Sequence, residues 1–573
     1  MNYLQFKDMF SKIKRYSNIV FLSSMTAFVS LAILMPVVLM GQTHSERVTV
    51  VGSFQPSLQE FQKINLKPET PASGIEAFKP KFTKVDNVLL TKSDAELISP
   101  LTVQIRGKKN TFHNYVRAGL GSNISPIFLF QHHSELGKQT SFDLGIQHLS
   151  SWTNVQDYAP SDWMKNTFSA GLNHSFSNHT LRTNLYYKRN HNRYYGFKPD
   201  DFPNDNFTKD SIAQHYQNIG IETVLNSNYK DFYALHHKAS IRYNNFRDRF
   251  KASEQSFEID ADLRKNFELF RYSGTQTIGL DIENGFYSNK DSISGFNDFR
   301  LGLLPSLKLT GSFYEFSAGF RFEFMNDSSS HLFAYPMLSG KLFMFDQKVE
   351  LFAMMDGQIE RHNLSQITEI NPFLRSGEMA WWSNSRFIFE TGIKTGVIKN
   401  LDLHLGLRYE ETDHAGFFIT DTSTVFQNTL TVAFDNIKKL RFSGEASYKL
   451  TDKINIGTRL LFDQYTMDSL TKAWHMPGFQ MHFIAGYQFD EKLRLKSELL
   501  FEDKRYAPSY VNGIENLVTL KPITDINLGA EYAINEQFTV FAQVNNLLHN
   551  RYERFYNYPV QGLQLFAGMS LRF

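Results

Sequence analysis

The chain carries 18 histidines, the side chains best suited to metal chemistry in a protein with no cysteine. Two adjacent pairs stand out, His132-His133 and His236-His237. Both sit in alternating polar and apolar sequence, which predicts strands. Neighbouring side chains on a strand point to opposite faces, so one pair cannot close on one ion without a donor from another strand. Both pairs are read as ordinary wall or rim residues.

A second oxygen-rich stretch, Pro199-Asp200-Asp201-Phe202-Pro203-Asn204-Asp205-Asn206, has some of the spacing of a calcium loop. It lacks the central glycine and the closing bidentate glutamate, and is read as a solvated acidic loop. A third set consists of Asp402, Arg408, Glu410, Arg494, Lys496, Glu498, Glu502 and Arg572. These are candidate lumen-lining charges, able to bind a polar solute or a protein arm, or to neutralise one another. Aromatic clusters at Arg193-Tyr194-Tyr195-Gly196-Phe197 and Trp381-Trp382-Ser383 are assigned to outer loops, as a partner surface or as interfacial packing. No nucleophile–base–acid trio, phosphate loop or paired catalytic carboxylate stands out. The expectation is a non-enzyme without cofactor or metal.

The elements that must position these residues have an unusual composition. Among 573 residues, aromatics make up 15%, with 53 Phe and 26 Tyr, yet mean hydropathy is −0.34. A multi-helix membrane protein needs long apolar runs and is excluded. A transmembrane β-barrel, alternating apolar and polar residues between aromatic bands, fits. A net charge of +2 gives no sign of a nucleic-acid partner.

The chain then divides into three parts. Lys7, Lys12, Lys14 and Arg15 precede an apolar stretch from Ile19 to Met40. Residues 1–41 therefore read as a secretory signal peptide, cut between Gly41 and Gln42. Residues 42–111 hold scattered prolines and one short strand at Val48–Val51, and read as an extended periplasmic or lumenal arm. From residue 112 to 573, strict alternation takes over. Leu401, Leu403, Leu405, Leu407 and Tyr409 oppose Asp402, His404, Gly406, Arg408 and Glu410. The charged face repeats and the apolar face carries almost no charge, which is the pattern of lumen and lipid. His174 and Ser497 interrupt the apolar face and are expected near an interface.

Short connectors such as 137–140, 345–348 and 489–492 alternate with longer ones at 152–164, 190–211, 362–383 and 504–517. The fold predicted is an all-β, antiparallel barrel of about 22 strands. That parity treats 424–450 as one strand, not two divided at Asn436. The final strand, with Leu563, Leu565, Met569, Leu571 and Phe573 facing lipid, is expected to close the barrel and to serve as an assembly signal.

The ending FAQVNNLLHNRYERFYNYPVQGLQLFAGMSLRF resembles the last hairpin of TonB-dependent outer-membrane receptors. The resemblance rests on Val544-Asn545-Asn546-Leu547-Leu548, Tyr552, Tyr558-Pro559, Gly562 and the final Arg572-Phe573, with Asn371-Pro372-Phe373-Leu374 upstream. It implies an outer-membrane location, contact with lipid and handling by the barrel-assembly machinery. Such receptors also carry a plug that contacts TonB. Arg47-Val48-Thr49-Val50-Val51-Gly52 resembles the lead into one, but too little sequence follows for a full plug. The expectation is a plugless TonB-receptor-like barrel, working in an envelope complex and occluded by its own arm or by a periplasmic or outer-membrane protein partner. The alternatives are a TonB-coupled nutrient importer with a minimal plug, or a passive porin-like channel.

Overall fold

The computed structural model describes residues 112–573, apart from 270–273, 292–293 and 512. The signal peptide, the Gly41/Gln42 cleavage site and the arm over 42–111 lie outside the described residues. Alternation becomes architecture directly: the segments form one 22-stranded sheet, antiparallel throughout. It runs from Asn114–Gly121 to Gln564–Arg572. Among the described residues no helix is long and apolar enough to cross a membrane.

Closure is direct. The last strand pairs with Phe538–Asn545 on one side, through Val540↔Met569, and with the first strand on the other, through Tyr115↔Arg572. No edge is left with unpaired backbone groups, which lipid could not satisfy. The carboxyl-terminal residue is part of this seam: Phe573 accepts backbone N–H groups of His113 (3.1 Å) and Asn114 (2.8 Å) and donates its own to Asn114 (3.1 Å).

The two faces are distinguished by exposure and by reach. On the last strand Leu565 (50%), Met569 (56%) and Phe573 (51%) are exposed, while Phe566 (8%) and Ser570 (7%) are buried. Leu563 shares the exposed face, and Leu571 follows the same alternation. The exposed set continues around the wall with residues such as Ile221, Phe257, Phe320, Leu405, Phe442 and Phe462. The opposite face is concave, because its side chains meet over intervening strands. Arg117 on the first strand reaches Glu531 on Ile523–Ala533 at 3.1 Å, past two strands.

The segment expected as one strand is a single strand, Leu430–Lys449. Asn436 faces a bulge in the neighbouring strand Leu401–Thr420. Thr412 pairs with Ile437 and Ala415 with Asp435, so Asp413 and His414 together oppose Asn436. His414 takes φ +57°, and its N–H donates to the Asn436 side chain at 3.1 Å. The extra residue bends Leu401–Thr420 there, as bulges do, while Leu430–Lys449 runs on through Asn436.

His174 closes its strand beside the turn at 176–178, where its ring packs on Phe176. Ser497 lies on the strand Leu493–Glu502, paired with Ala485 and Leu528.

Candidate functional site

The short connectors gather at one end of the barrel and the long ones at the other, which is the outer end by the usual asymmetry. The long connectors do not splay into solvent. They converge over the mouth as a collar built around buried aromatics. Tyr194, Phe197, Ile212 and Ala159 form one cluster, joined by Phe373 and Phe426. Leu430, Phe555 and Tyr558 form another, sharing Tyr195 and Phe373 with the first. The segment after His362 folds into a short helix, Leu364–Ile370, which buries Leu364 and Ile367 against Tyr216, Phe246 and Trp381.

Several polar groups in the collar pair with one another across large sequence distances. The Tyr194 hydroxyl donates to Leu374 O (2.9 Å), that of Tyr195 to Pro559 O (2.9 Å), and the Asn428 amide to Tyr194 O (2.7 Å). Tyr558 donates to Asn428 O and stacks on Phe373 with centroids 3.6 Å apart and planes at 11°. Leu374 and Leu430 form an isolated bridge, flanked by Leu430 N–H to Phe373 O at 3.0 Å and Arg375 N–H to Leu430 O at 2.8 Å. Burial pushes the Tyr194 and Tyr195 phenols well above their usual range, so they act as neutral donors. Asp162 is buried too, which opposes ionisation. Contacts from His191, Arg193 and Lys209 outweigh that and hold its carboxyl well below the usual range.

Among the described residues, His475 is the one buried histidine. The Tyr556 N–H points at its Nε2 (3.3 Å) and its Nδ1 faces Phe418 O (3.1 Å), so the neutral Nδ1–H form satisfies both. Burial lowers its pKa to about 4. The unfolded chain takes up a proton near pH ~6.5 and the folded one does not. This contribution is therefore complete above that pH and is lost as pH falls towards 4, by up to about 3 kcal/mol. Protease protection of the segment 468–478 is expected to fall between pH 7 and 4.5. His475→Gln is expected to flatten that dependence.

Beneath the collar one side chain carries a heavy load. Arg361 donates to Asp298 (2.5 Å) and Glu254 (3.0 Å), all three buried. Its guanidinium lies 4.2 Å from the Tyr287 ring centroid and 5.3 Å from that of Trp382. The second Glu254 oxygen accepts the Leu364 N–H at 2.5 Å, which anchors the start of the collar helix.

The candidate lumen residues are distributed along the wall and do not form one cluster. Arg408 pairs with Glu390 (3.1 Å) and Glu410 (3.2 Å). Glu498 contacts His482 at 2.6 Å, Lys496 lies 3.9 Å from Glu531, and Arg494 donates to Gln488 at 3.0 Å. Arg572 lies over the Tyr115 ring, and Glu502 is 3.9 Å from Arg505. Asp402 lines a cavity of about 720 Å³ with Lys394, His404, Glu445, Arg459 and His482. A second, of about 810 Å³, is lined by Tyr115, His133, Asp143, Tyr186 and Arg572. Both open near the short-turn end.

Two loop assignments change. Trp381-Trp382-Ser383 begins the strand Trp381–Thr395. Trp382 joins Tyr287 inside while Trp381 stacks on His362 and meets Phe434, so the pair divides between faces. Arg193 ends the strand His179–Arg193, and only Tyr194 to Phe197 belong to the collar. The acidic stretch holds a short 3-10 turn, Pro199–Asp201, and among the described residues no group of three or more His, Cys, Asp or Glu is placed to hold a metal. Arg361, His475 and the convergence of the loops were not anticipated. The one signal available was the density of aromatics and prolines in the long connectors.

The closed 22-stranded sheet with its apolar outward face defines a large transmembrane β-barrel of the outer-membrane kind. No protein-family model matches the chain, and no curated protein sequence does. Solved structures do. The siderophore receptor PirA from Acinetobacter baumannii is 11% identical, with 82% of this chain and 81% of that one covered at a TM-score of 0.63. The ferripyoverdine receptor of the Pseudomonas aeruginosa outer membrane, bound to ferripyoverdine, is 13% identical with coverage of 81% and 72% and a TM-score of 0.62. The ferric-catecholate import receptor Fiu from Escherichia coli K12 is 10% identical with coverage of 81% and 82% and a TM-score of 0.61. At such identities the likeness is one of fold: a closed, 22-stranded antiparallel barrel.

Proposed function

We propose that this chain is an outer-membrane uptake receptor, which takes up a bulky polar nutrient at its collar and passes it through the lumen. The carrying observation is the collar itself: outer loops interlocked by buried aromatics and long-range hydrogen bonds on a 22-stranded barrel. The structural neighbours named above include siderophore and ferric-catecholate receptors, so ferric siderophores are the first ligands to try. Import also requires a gate and a source of energy. Residues 42–111 or a partner would supply the gate, with TonB as the motor. Iron-55 uptake from a panel of ferric siderophores, in cells with and without the chain, tests the reading. Uptake that depends on the chain and on TonB supports it; equal uptake in both strains for every ligand contradicts it.

The envelope-complex reading retains two observations in its favour. The same interlocked collar suits a permanently closed scaffold, and the cavities at the short-turn end suit a periplasmic partner. Stoichiometric co-purification of a partner, with no ligand dependence, favours that reading. The terminal strand is proposed as the signal read by the barrel-assembly machinery. Deleting Phe573 removes the bonds to His113 and Asn114 as well as the aromatic ring, and is expected to lower assembled barrel without altering transcript level.

A further inference from the structure

An adjacent histidine pair on one strand needs a donor from another strand, and for His237 the structure supplies it. His179 opens the strand His179–Arg193, and His237 lies on Leu235–Asp248. The strand between them, Ala213–Ser227, places Ser227 opposite His179, and the Ser227 hydroxyl accepts the His237 N–H at 2.8 Å. The three residues form a cross-strand row on the outward face, beside the short turns. Because Ser227 is small, both imidazoles lean over it, and their Nε2 atoms come within 3.2 Å.

Two neutral imidazoles gain one hydrogen bond from this approach. A metal ion gains more. Two nitrogens at bond lengths of about 2.0–2.1 Å in a tetrahedral shell lie roughly 3.3 Å apart, which is the separation seen. The His237 Nδ1 lies 3.3 Å from Leu235 O, so a proton there leaves the Nε2 lone pair free. Ligating histidines are commonly fixed in this way by a backbone carbonyl. The Tyr229 hydroxyl lies 3.5 Å from His179 Nε2, and its ring packs on both histidines, with centroids 5.5 and 5.9 Å away. By contrast, His132 and His133 turn to different partners, Asn114 and Asp143.

We propose that His179 and His237, with Tyr229 as a third, weaker donor, form a binding site for a divalent transition cation of the imidazole-preferring kind, such as Zn²⁺ or Cu²⁺. Water completes the shell. The site clips two strands together across a third at the inner rim, and is independent of the transport reading.

The test uses the full chain purified from membranes in mild detergent. Zn²⁺ is titrated by calorimetry, and Cu²⁺ is followed by electron paramagnetic resonance. The expected result is one site with a two-nitrogen Cu²⁺ signature. His179→Ala and His237→Ala are each expected to weaken binding at least about tenfold, while His236→Ala leaves it unchanged. Heat-modifiable migration confirms that each variant is folded. If an alanine variant does not assemble, His237→Gln, which keeps a polar side chain at the rim, is expected to show the same loss. No Zn²⁺ binding by the wild-type chain, or equal binding by wild type and the His179/His237 variants, overturns the proposal.

Discussion

Gly568→Val is expected to cut the assembled barrel to about a tenth of wild type or less, because the closing seam has no room for a side chain. A Cβ at Gly568 would lie 2.2 Å from Ala118 O, 2.6 Å from the Gly119 Cα and 2.6 Å from the Phe541 ring. Two of these contacts are backbone across the pairing Gly119↔Gly568, so no rotamer change relieves them. The strands must part, and parting them exposes peptide groups to lipid. The facing glycines also make space for the Phe541 ring, on which the Arg117 guanidinium rests 3.7 Å from the centroid. Gly486→Val is the matched control: it lies on another strand with nothing within 4 Å of its Cβ. Heat-modifiable electrophoresis of membrane fractions reads both variants. Normal assembly of Gly568→Val would mean that this seam is not where the barrel closes.

Arg361→Ala is expected to unlock the collar, at a cost of about 3–5 kcal/mol, because it leaves two buried carboxylates without a cation. Glu254 and Asp298 lose their shared partner, and the Leu364 N–H then hangs on an uncompensated charge. Arg361→Lys should recover only part of the loss. A point charge cannot fork between two carboxylates while lying over Tyr287 and Trp382. The triple change Glu254→Gln, Asp298→Asn, Arg361→Met removes every charge together and is expected to be milder than Arg361→Ala alone. Limited proteolysis within 363–380 on intact cells measures the effect. Protection equal to wild type in Arg361→Ala would show that the collar holds without this triad.

Much of the fold was legible because a barrel strand repeats a period of two between lipid and lumen. The face of Leu405 and Leu407 against Arg408 and Glu410 follows from that period alone. The parity of the strand count rested on Asn436, where the neighbouring strand takes up the bulge and the long strand stays whole. The collar was not legible, because no local rule brings Tyr195 to Pro559 or Phe373 to Tyr558. Those contacts join residues that are distant in sequence and meet only once the wall has curved round. The same holds for Arg361, whose carboxylates come from strands encountered much earlier in the chain. Trp381-Trp382 was misplaced for a related reason: a long connector whose ends continue as strand looks longer in sequence than in space.

The central claim is that the collar must open for uptake, and one cross-link tests it most directly. The chain has no cysteine, so an engineered pair reacts alone. Leu374 and Leu430 are bridge partners, with Cα atoms roughly 5 Å apart, within the span of a disulfide. Cells carrying Leu374→Cys with Leu430→Cys are assayed for iron-55 siderophore uptake, oxidised and then reduced. An uptake receptor predicts transport that is lost on oxidation and recovered with reductant, while each single variant transports throughout. Undiminished transport with the disulfide fully formed would contradict the account.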